Sequence, residues 1–569
     1  MTSNSPDNTS EVVIPRGRDE QGQRVYRTNL TAASDNRPKV LLASRPAPLP
    51  VVFLPGIMGS NLRNKESKEI VWRPPNASLA PRDVLGAIGA LFTWWRRGPK
   101  KRQKLLNPDQ VEVDDSGSID PGKSGLSKEA ARFRGWGTVM RSSYNPVMAV
   151  LEQRLDNILK LGELEPWWSD EALASPSDYG EELGQAQPLN KEELEYAAAY
   201  QFDVWCCGYN WLRSNRDSAQ AVRDFIENTV LPHYRDSGQT TAEQMQKMKV
   251  ILVTHSMGGL VSRSLTQLLG YDRVLGVVHG VQPATGAPAI YHHMRCGYEG
   301  VERIVLGANA GEVTAVVANS PGALELTPSA VHREGKPWLF LRDEQGNISR
   351  DKNGKPRAYP QNRDPYDEIY KNPDWYGLVP KQNERYLDMS ESPQSNDSMQ
   401  SPRSTFNDSI NAVAKFHRAL AKEGYYCETY AHYGAEASQD THSWRDVNWK
   451  GDINALEQPD VKVKDNGRGK YNTSTRSRAP KLGPTNPLWR DHEKIDAGGD
   501  GTVPTDSGQA PGLAGIKASF RHGNLGKGSQ NTKPGYDHQS SYNDNRARWA
   551  TIYSIIKLAQ RANWVPGDT

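Results

Sequence analysis

The stretch KVILVTHSMGGLVSR, residues 249–263, predicts a buried strand, a tight turn at Ser256 and the start of a helix. Four consecutive apolar residues, 250–253, would form the strand. A nucleophile elbow has this order, because its serine lies on a sharp strand-to-helix turn that needs small neighbours two positions before and after it. Gly258 meets that need, whereas Thr254 stands where the motif Gly-x-Ser-x-Gly has its first glycine. The pattern predicts a nucleophile, and the alternative is a structural turn serine.

The backbone around this turn predicts where an oxyanion would be held. Acyl transfer needs two N–H groups aimed at the developing oxyanion, and Met257 supplies one directly after the serine. The segment LPVVFLPGIMGSNL, residues 49–62, ends an apolar strand in a glycine-rich loop, which predicts the second donor at Ile57. The alternative is a glycine-rich strand exit without a role. His255 adjoins the serine, but successive residues on such a turn point apart, so we expect it to line the turn rather than act as the base.

A late glycine-rich segment carries the candidate acid. In DAGGDGTVPTDSG, residues 496–508, Asp500 follows two glycines and precedes Thr-Val-Pro. Such a carboxylate would hold the tautomer of a catalytic histidine and stabilise its imidazolium form. Asp496 and Asp506 are nearby alternatives. The same Gly/Asp cluster is also compatible with a plain turn or a calcium loop.

Two histidines beyond this segment compete for the role of general base. His538 lies in GYDHQSSYND, a turn-forming stretch just before the last amphipathic helix, and His522 lies in SFRHGNLGKG after a strand-like run. The order nucleophile, acid, histidine is the order of one class of serine hydrolases, and both residues satisfy it. We favour His538 because that class places its histidine before the final helix, with His522 as the alternative.

Apolar β-branched runs alternate with amphipathic helical patterns across residues 48–290. This alternation predicts an α/β fold with a mostly parallel sheet and right-handed crossovers. The rest divides by composition, and the predicted organisation is a polar N-terminal arm at 1–47, a core at 48–62, 131–299 and 486–569, an insertion with an amphipathic lid at 63–130, and a polar insertion or cap at 300–485.

The segments VVFLPGIMGSNL, YNWLRSN, THSMGGLVSR and GGDGTVP resemble the lecithin:cholesterol acyltransferases and related α/β-hydrolase lipases, including PGAP1-like esterases. The long polar insertions also resemble those of bacterial type VI secretion lipase effectors. The resemblance covers residues 48–62, 135–290 and 490–560. It implies an α/β-hydrolase fold with large lid and cap insertions, and it implies that Ser256, Asp500 and His538 form a catalytic triad.

The segment DVLGAIGALFTWWRRGPKKRQK, residues 83–104, is informative about the substrate. Its apolar residues have roughly helical spacing, and six basic residues follow between 96 and 104. An apolar face with tryptophans beside a basic cluster suits the surface of an anionic bilayer. We expect an interfacial lid that includes four large apolar residues: Leu91, Phe92, Trp94 and Trp95. The alternative is a core helix followed by a solvated basic loop.

Composition excludes several other classes. With 70 basic and 67 acidic residues, a net charge of +3 gives no support to nucleic-acid binding. Four cysteines form neither a disulfide framework nor a metal-binding spacing. We therefore expect no required cofactor and no metal motif, although the acidic loops would suit a structural calcium ion. The N-terminal sequence lacks a Sec signal pattern, so we expect synthesis in the cytoplasm and export by another route.

The patterns together predict a serine lipid esterase, a lipase or phospholipase acting on membrane lipids. The effector resemblance implies an antibacterial toxin delivered to the periplasm of target cells, with a secretion-apparatus carrier and a cognate immunity protein as partners. Hydrolysis and acyl transfer to an alcohol use the same residues, and so does cleavage at either acyl position. The alternative function is a binding or scaffold protein on a catalytically degenerate hydrolase fold, which Thr254 and the polar insertions would suit.

Overall fold

The computed structural model describes residues 10–14, 16–18, 24–26, 34, 39–43, 46–73, 97–160, 163–298, 306–387, 401–436, 444–458, 462–473, 481–484, 498–523 and 535–564.

A six-stranded sheet, in which every pair is parallel, forms the centre of the fold. Its strands are β1 (Ala47–Leu54), β2 (Tyr200–Cys206), β3 (Val250–His255), β4 (Val274–Gly280), β5 (Thr429–Gly434) and β6 (Ala518–His522). They lie side by side in the order β2-β1-β3-β4-β5-β6. The first five are buried along their whole length, and β1, β3 and β4 have the apolar runs typical of strands covered on both faces. The sheet confirms the predicted α/β fold.

Five helices pack around this sheet and the elbow. They are α1 (Arg141–Leu155), α2 (Asn215–Phe225), α3 (Gly258–Arg263), α4 (Pro402–Glu423) and α5 (Asn545–Ala559). Helix α5 contacts β3, β4, β5 and β6, and α2 contacts α3. Side chains cap the N-termini of three of these helices. The hydroxyl of Ser214 accepts from the N–H of Asp217, the hydroxyl of Ser401 from the N–H of Ser404, and the carboxylate of Asp544 from the N–H of Arg546.

Shorter elements complete the described chain. The other helices are Pro99–Leu105, Lys128–Phe133, Trp136–Thr138, Pro166–Asp170, Pro176–Tyr179, Lys191–Ala198, Ile226–Val230, Leu231–Asp236, Ala242–Lys247, Ser264–Leu268, Ala289–Cys296, Ala310–Val317, Pro321–Leu324, His332–Gly335, Tyr366–Tyr370, Lys381–Tyr386, Asn454–Glu457, Thr505–Gly508, Ala510–Leu513 and Ser541–Asn543. The other strands are Ser10–Ile14, Arg16–Arg18, Arg24–Tyr26, Lys39–Ala43, Leu62–Asn64, Ile70–Trp72, Val111–Val113, Leu159–Lys160, Glu163–Leu164, Leu339–Arg342, Ala358–Tyr359, Val447–Lys450, Val463–Asp465, Tyr471–Thr473 and Lys481–Pro484.

The register of the sheet brings the functional loops to one edge. At the end of β3, Thr254 pairs with Leu54 of β1 on one side and with His279 of β4 on the other. Because the strands are parallel, the loops that follow them leave from the same carboxyl edge. The glycine-rich loop after β1 and the elbow after β3 are therefore neighbours.

The region 300–485 differs from its predicted role as an insertion outside the core. Strand β5 lies within it and pairs with both β4 and β6 in the central sheet. Its sequence, TYAHYG, is short and aromatic and lacks the run of Val, Ile, Leu or Phe that β1, β3 and β4 contain. The apolar runs that predict strands in residues 48–290 therefore have no counterpart in β5.

The lid segment falls largely outside the described residues, since 74–96 are not among them. Its basic end is described, and helix Pro99–Leu105 buries Arg102 rather than exposing it. The guanidinium of Arg102 donates from Nε to the carbonyl of Arg97 at 2.8 Å and lies 3.8 Å from Glu312. At Arg102 the expectation of a surface cluster is therefore corrected. Within the described part of the chain, no helix is long and apolar enough to cross a membrane.

Candidate active site

Ser256 lies on the turn between β3 and α3 with a φ of 53°, a left-handed conformation that non-glycine residues rarely adopt. Its N–H donates to the carbonyl of Gly280 at 2.9 Å, which fixes the turn against β4. Glycine is required two residues later, at position 258, because a Cβ there would lie 2.6 Å from the carbonyl oxygen of Leu54 and 2.7 Å from that of Pro55. The sequence thus forms the sharp, strained turn that the elbow motif needs.

Thr254 fits into the position of the missing glycine without crowding the turn. Its hydroxyl lies 3.1 Å from Nδ1 of His279 on the neighbouring strand, and its carbonyl accepts a hydrogen bond of 2.8 Å from Tyr542. Burial lowers the pKa of His279 to about 3, so this ring is neutral. The threonine side chain is therefore satisfied by β4, and the departure from the motif leaves the strained backbone of Ser256 in place.

Three of the predicted residues meet in one line of hydrogen bonds. Nε2 of His538 lies 2.8 Å from Oγ of Ser256, and Nδ1 of His538 lies 2.7 Å from Oδ2 of Asp500. A carboxylate only accepts, so Nδ1 carries the proton and Nε2 is left to accept from the serine hydroxyl. All three side chains are buried. This is the arrangement in which an imidazole can take a proton from a serine.

Asp500 is itself held by backbone groups. Its Oδ1 accepts from the N–H of Thr502 at 3.0 Å and from the N–H of Val503 at 2.7 Å, while its carbonyl accepts from the N–H of His538 at 2.9 Å. The Gly-Asp-Gly-Thr-Val-Pro sequence therefore folds back on its own aspartate. This fold fixes the carboxylate relative to both the ring and the backbone of the histidine.

The electrostatics of His538 combine two opposing effects. Burial lowers the pKa of the imidazole, but the charge of Asp500 and the hydrogen bond to it raise the pKa, and the net shift is upward. A paired carboxylate favours the imidazolium form. The ring can therefore receive a proton more readily than an isolated buried histidine could.

The predicted oxyanion donors lie in the two loops beside the serine. Among the hydrogen bonds of the described residues, none has the N–H of Ile57 or the N–H of Met257 as its donor. The loop around Ile57 is tightly turned, since Met58 has a φ of 61° and the N–H of Gly59 donates to the carbonyl of Gly56. Neither N–H group is therefore engaged within the described part of the chain.

The alternative residues occupy other roles. His522 lies at the end of β6, where Nδ1 is 2.9 Å from the hydroxyl of Tyr536 and Nε2 is 3.0 Å from the carbonyl of Tyr179. Asp506 forms an ion pair of 2.8 Å with Arg445. Asp496 lies outside the described residues, as do the lid residues Leu91, Phe92, Trp94 and Trp95. In the part of the chain that the structure describes, no group of three or more histidine, cysteine or acidic side chains is arranged to hold a metal ion.

His255 and Tyr144 are neighbours of the site that the sequence patterns do not single out as partners. Nδ1 of His255 lies 3.1 Å from the hydroxyl of Tyr144, and Nε2 lies 2.9 Å from the carbonyl of His538. Tyr144 is on helix α1, far from the elbow in sequence, and no motif connects the two. Only the packing of α1 against the sheet brings them together.

Comparison with known proteins identifies the family. The chain matches no family model and no curated protein sequence. It is similar to a chain of the crystal structure of the Tle4–Tli4 complex, with 62% sequence identity, 91% of this chain and 100% of that chain covered, and a TM-score of 0.85. Tle4 is a type VI secretion lipase effector. With this identity over the whole of the matched chain, the protein belongs to the Tle4 family of type VI secretion lipase effectors.

Proposed function

We propose that this protein hydrolyses acyl ester bonds of membrane phospholipids as a serine esterase, with Ser256, His538 and Asp500 as its triad. The observation that carries the proposal is the continuous hydrogen-bonded line from Asp500 Oδ2 through His538 to Ser256 Oγ, at 2.7 and 2.8 Å. Membership of a lipase effector family supports the lipid class of the substrate.

The first half of the reaction forms an acyl-enzyme. Oγ of Ser256 attacks the ester carbonyl carbon while its proton passes to Nε2 of His538. The carbonyl π electrons move onto oxygen, and the N–H groups of Ile57 and Met257 stabilise this oxyanion. The tetrahedral intermediate then collapses, the bond to the alcohol oxygen breaks, and Nε2 returns its proton to that oxygen. A lysophospholipid leaves and the acyl group stays on the serine.

The second half repeats these steps with water. His538 takes a proton from water, the water oxygen bonds to the acyl carbon, and the oxyanion is held by the same two N–H groups. Collapse breaks the bond to Oγ of Ser256, which recovers its proton from the imidazolium. A fatty acid is released and the enzyme returns to its starting state.

A lid at the membrane surface would give this site its lipid preference. The predicted amphipathic segment, which includes Leu91, Phe92, Trp94 and Trp95, supports this proposal by its sequence alone. The segment would cover the serine in water and fold back on an anionic bilayer. The protein would then act on aggregated phospholipid faster than on the same lipid dispersed as monomers.

Membership of the family supports two proposals, on how the protein is delivered and on what inhibits it. The similar solved chain was crystallised as a Tle4–Tli4 complex, and we propose that this protein likewise has a cognate immunity protein. We further propose that a component of the secretion apparatus carries it into the periplasm of target cells. Expression directed to the periplasm should then kill the host, and co-expression of the immunity protein should restore growth.

The proposed ester hydrolysis uses protein groups and water, so we expect no cofactor to be required. Dialysis against EDTA should leave the rate of ester hydrolysis unchanged. A structural calcium ion in the acidic loops would instead be seen as a lower thermal midpoint after EDTA, restored by added calcium.

The proposed function is tested on vesicles of defined phosphatidylethanolamine and phosphatidylglycerol with the full chain, Ser256→Ala and a matched control. Ser554→Ala is that control, because Ser554 is also buried and its hydroxyl donates only to the helix carbonyl of Ala550. Mass spectrometry should detect lysophospholipid and fatty acid with the parent chain and Ser554→Ala, and neither product with Ser256→Ala. Products that persist with Ser256→Ala would overturn the proposal, and an inert parent chain would favour the scaffold alternative.

A further inference from the structure

A chain of hydrogen bonds connects the loop after β1 to His538 through the side chains of Tyr144 and His255. The N–H of Gly56 lies 3.2 Å from the hydroxyl oxygen of Tyr144, that oxygen lies 3.1 Å from Nδ1 of His255, and Nε2 of His255 lies 2.9 Å from the carbonyl oxygen of His538. All of these contacts are buried. The chain joins the two loops whose positions decide where the oxyanion and the base sit.

The direction of each hydrogen bond is fixed by its end groups. The carbonyl of His538 only accepts, so Nε2 of His255 carries the proton and donates to it. Burial lowers the pKa of His255 to about 3, so the ring is neutral and Nδ1 accepts from the hydroxyl of Tyr144. Burial also raises the pKa of Tyr144 to about 12, so its hydroxyl keeps the proton that it donates. The same hydroxyl oxygen accepts from the N–H of Gly56. Every polar hydrogen in the chain thus has one partner.

The loop after β1 packs closely against this chain of hydrogen bonds. A Cβ on Gly56 would lie 2.8 Å from Nδ1 of His255 and 2.9 Å from Cβ of Ser256. A Cβ on Gly59 would lie 2.7 Å from the hydroxyl of Tyr144. The loop after β1 therefore rests directly on both side chains. The N–H of Gly56 is thus occupied by Tyr144, whereas no hydrogen bond in the described part of the chain has the N–H of Ile57 as its donor.

The backbone of His538 is held from two sides. Its N–H donates to the carbonyl of Asp500 at 2.9 Å, and its carbonyl accepts from Nε2 of His255 at 2.9 Å and more distantly, at 3.4 Å, from the N–H of Ser541. The first bond ties the histidine to the acid loop, and the second ties it to the residue that precedes the nucleophile. A shift of the base by about 1 Å is enough to lower a catalytic rate about a hundredfold, so the second bond has a kinetic consequence.

We propose that Tyr144 and His255 are positioning residues that set the distance of the base and of the oxyanion loop from Ser256. This inference rests on the proposed esterase function. Neither residue touches the reacting atoms. Tyr144 acts through the N–H of Gly56 and through His255, and His255 acts through the backbone of His538.

The test uses kcat and KM of the full chain on the soluble ester p-nitrophenyl butyrate, with thermal unfolding measured in parallel. Four variants are compared: Tyr144→Phe, His255→Leu, His255→Gln and, as a matched control, Tyr370→Phe. Tyr370 is also fully buried, and its hydroxyl donates to the backbone carbonyl of Pro328 outside the loops of the site. Tyr144→Phe removes only a single oxygen atom, so this variant still tests the proposal if His255→Leu fails to fold. Glutamine carries a donor and an acceptor on two atoms bonded to the same carbon, as this tautomer of His255 does.

We expect kcat to fall about tenfold in Tyr144→Phe and about a hundredfold in His255→Leu, with KM within about twofold of the parent value. His255→Gln should recover most of the loss, and Tyr370→Phe should keep the parent kcat. The inference is overturned if Tyr144→Phe keeps the parent kcat, or if Tyr144→Phe and Tyr370→Phe lose activity only in proportion to the fraction that unfolds. A parent chain without esterase activity would instead overturn the proposed function itself, so the two failures are distinguishable.

Discussion

His538 and His522 are both buried histidines near the carboxyl edge of the sheet, one in a loop and one at the end of β6, yet their surroundings give them opposite chemistry. His538 faces the carboxylate of Asp500 at 2.7 Å and the hydroxyl of Ser256 at 2.8 Å. His522 faces the hydroxyl of Tyr536 and a backbone carbonyl. Burial lowers the pKa of both rings. Asp500 outweighs this effect at His538, whose pKa is raised, whereas at His522 the charge of Arg546 lowers the pKa further and Asp544 offsets only part of the shift, so that pKa is lowered to about 4.

The comparison teaches that the charge of the partner, rather than burial, decides which histidine can serve as a base. A buried ring without a hydrogen-bonded carboxylate resists protonation and acts as a neutral hydrogen-bonding group. A ring beside a fixed carboxylate is ready to accept a proton. His522 therefore connects β6 to the loop at Tyr179, and His538 faces the hydroxyl of Ser256.

The largest effect should come from removing His538. His538→Ala takes away the base and should lower kcat for p-nitrophenyl butyrate by about four to six orders of magnitude, as loss of a triad member does in other serine hydrolases. His522→Ala, measured in the same assay, should retain kcat within about threefold, because the ring does not touch the nucleophile. A comparable loss in both variants would contradict the assignment of the base.

Removing only the charge of the partner should have the next largest effect. Asp500→Asn should lower kcat by about ten-thousandfold, because an amide can impose the wrong tautomer on His538. The rate needs a neutral imidazole, so it falls as pH drops through the pKa of His538. Burial lowers this pKa and Asp500 raises it, so Asp500→Asn should move the acidic limb of the pH–rate profile to lower pH. If the acidic limb lies at the same pH in Asp500→Asn and in the parent chain, Asp500 does not set the pKa of His538.

His522→Ala should act on stability instead. It leaves the hydroxyl of Tyr536 and the carbonyl of Tyr179 without their partner, which should cost about 1–3 kcal/mol in the free energy of unfolding. The unfolded ring takes up a proton below a pH of about 6.5, whereas the folded ring stays neutral down to about 4. The stability that His522 contributes is therefore lost as pH falls through this window. Urea unfolding between pH 4 and 7 should show a weaker pH dependence in the variant than in the parent chain.

The smallest effect should come from the alternative acid. Asp506 pairs with Arg445 at 2.8 Å and lies 3.8 Å from Arg333, and the side chains are partly exposed. Asp506→Asn should lower the free energy of unfolding by at most about 1 kcal/mol, since partly exposed ion pairs contribute little. Steady-state assays should return the parent kcat, and a loss approaching that of Asp500→Asn would make Asp506 the acid.

Much of this site could be predicted because its determinants are local in sequence. A strand, a turn and a helix made from one stretch place Ser256, and the glycine-rich segment around Asp500 folds back on its own carboxylate. The order of the segments along the chain then favours one histidine. These signals can be recognised without the tertiary structure, because each is contained in a few neighbouring residues.

What could not be predicted depends on packing between distant segments. Tyr144 meets His255 only after α1 packs against the sheet, and strand β5 joins the centre without an apolar run of its own. The sequence places Arg102 in a cluster of basic residues expected at the surface. Its helix instead packs on Ala310–Val317 and buries the guanidinium. In each case the decisive contact is made by a segment far away along the chain.

The most direct test of the central claim is the rate at which a fluorophosphonate probe labels Ser256 in the parent chain, in His538→Ala and in His522→Ala, with the labelled peptide identified by mass spectrometry. Labelling needs an activated serine hydroxyl, which the hydrogen bond from Ser256 to His538 supplies. We expect rapid labelling of Ser256 in the parent chain and in His522→Ala, and none in His538→Ala. Labelling of His538→Ala at the parent rate, or of a residue other than Ser256, would contradict the account.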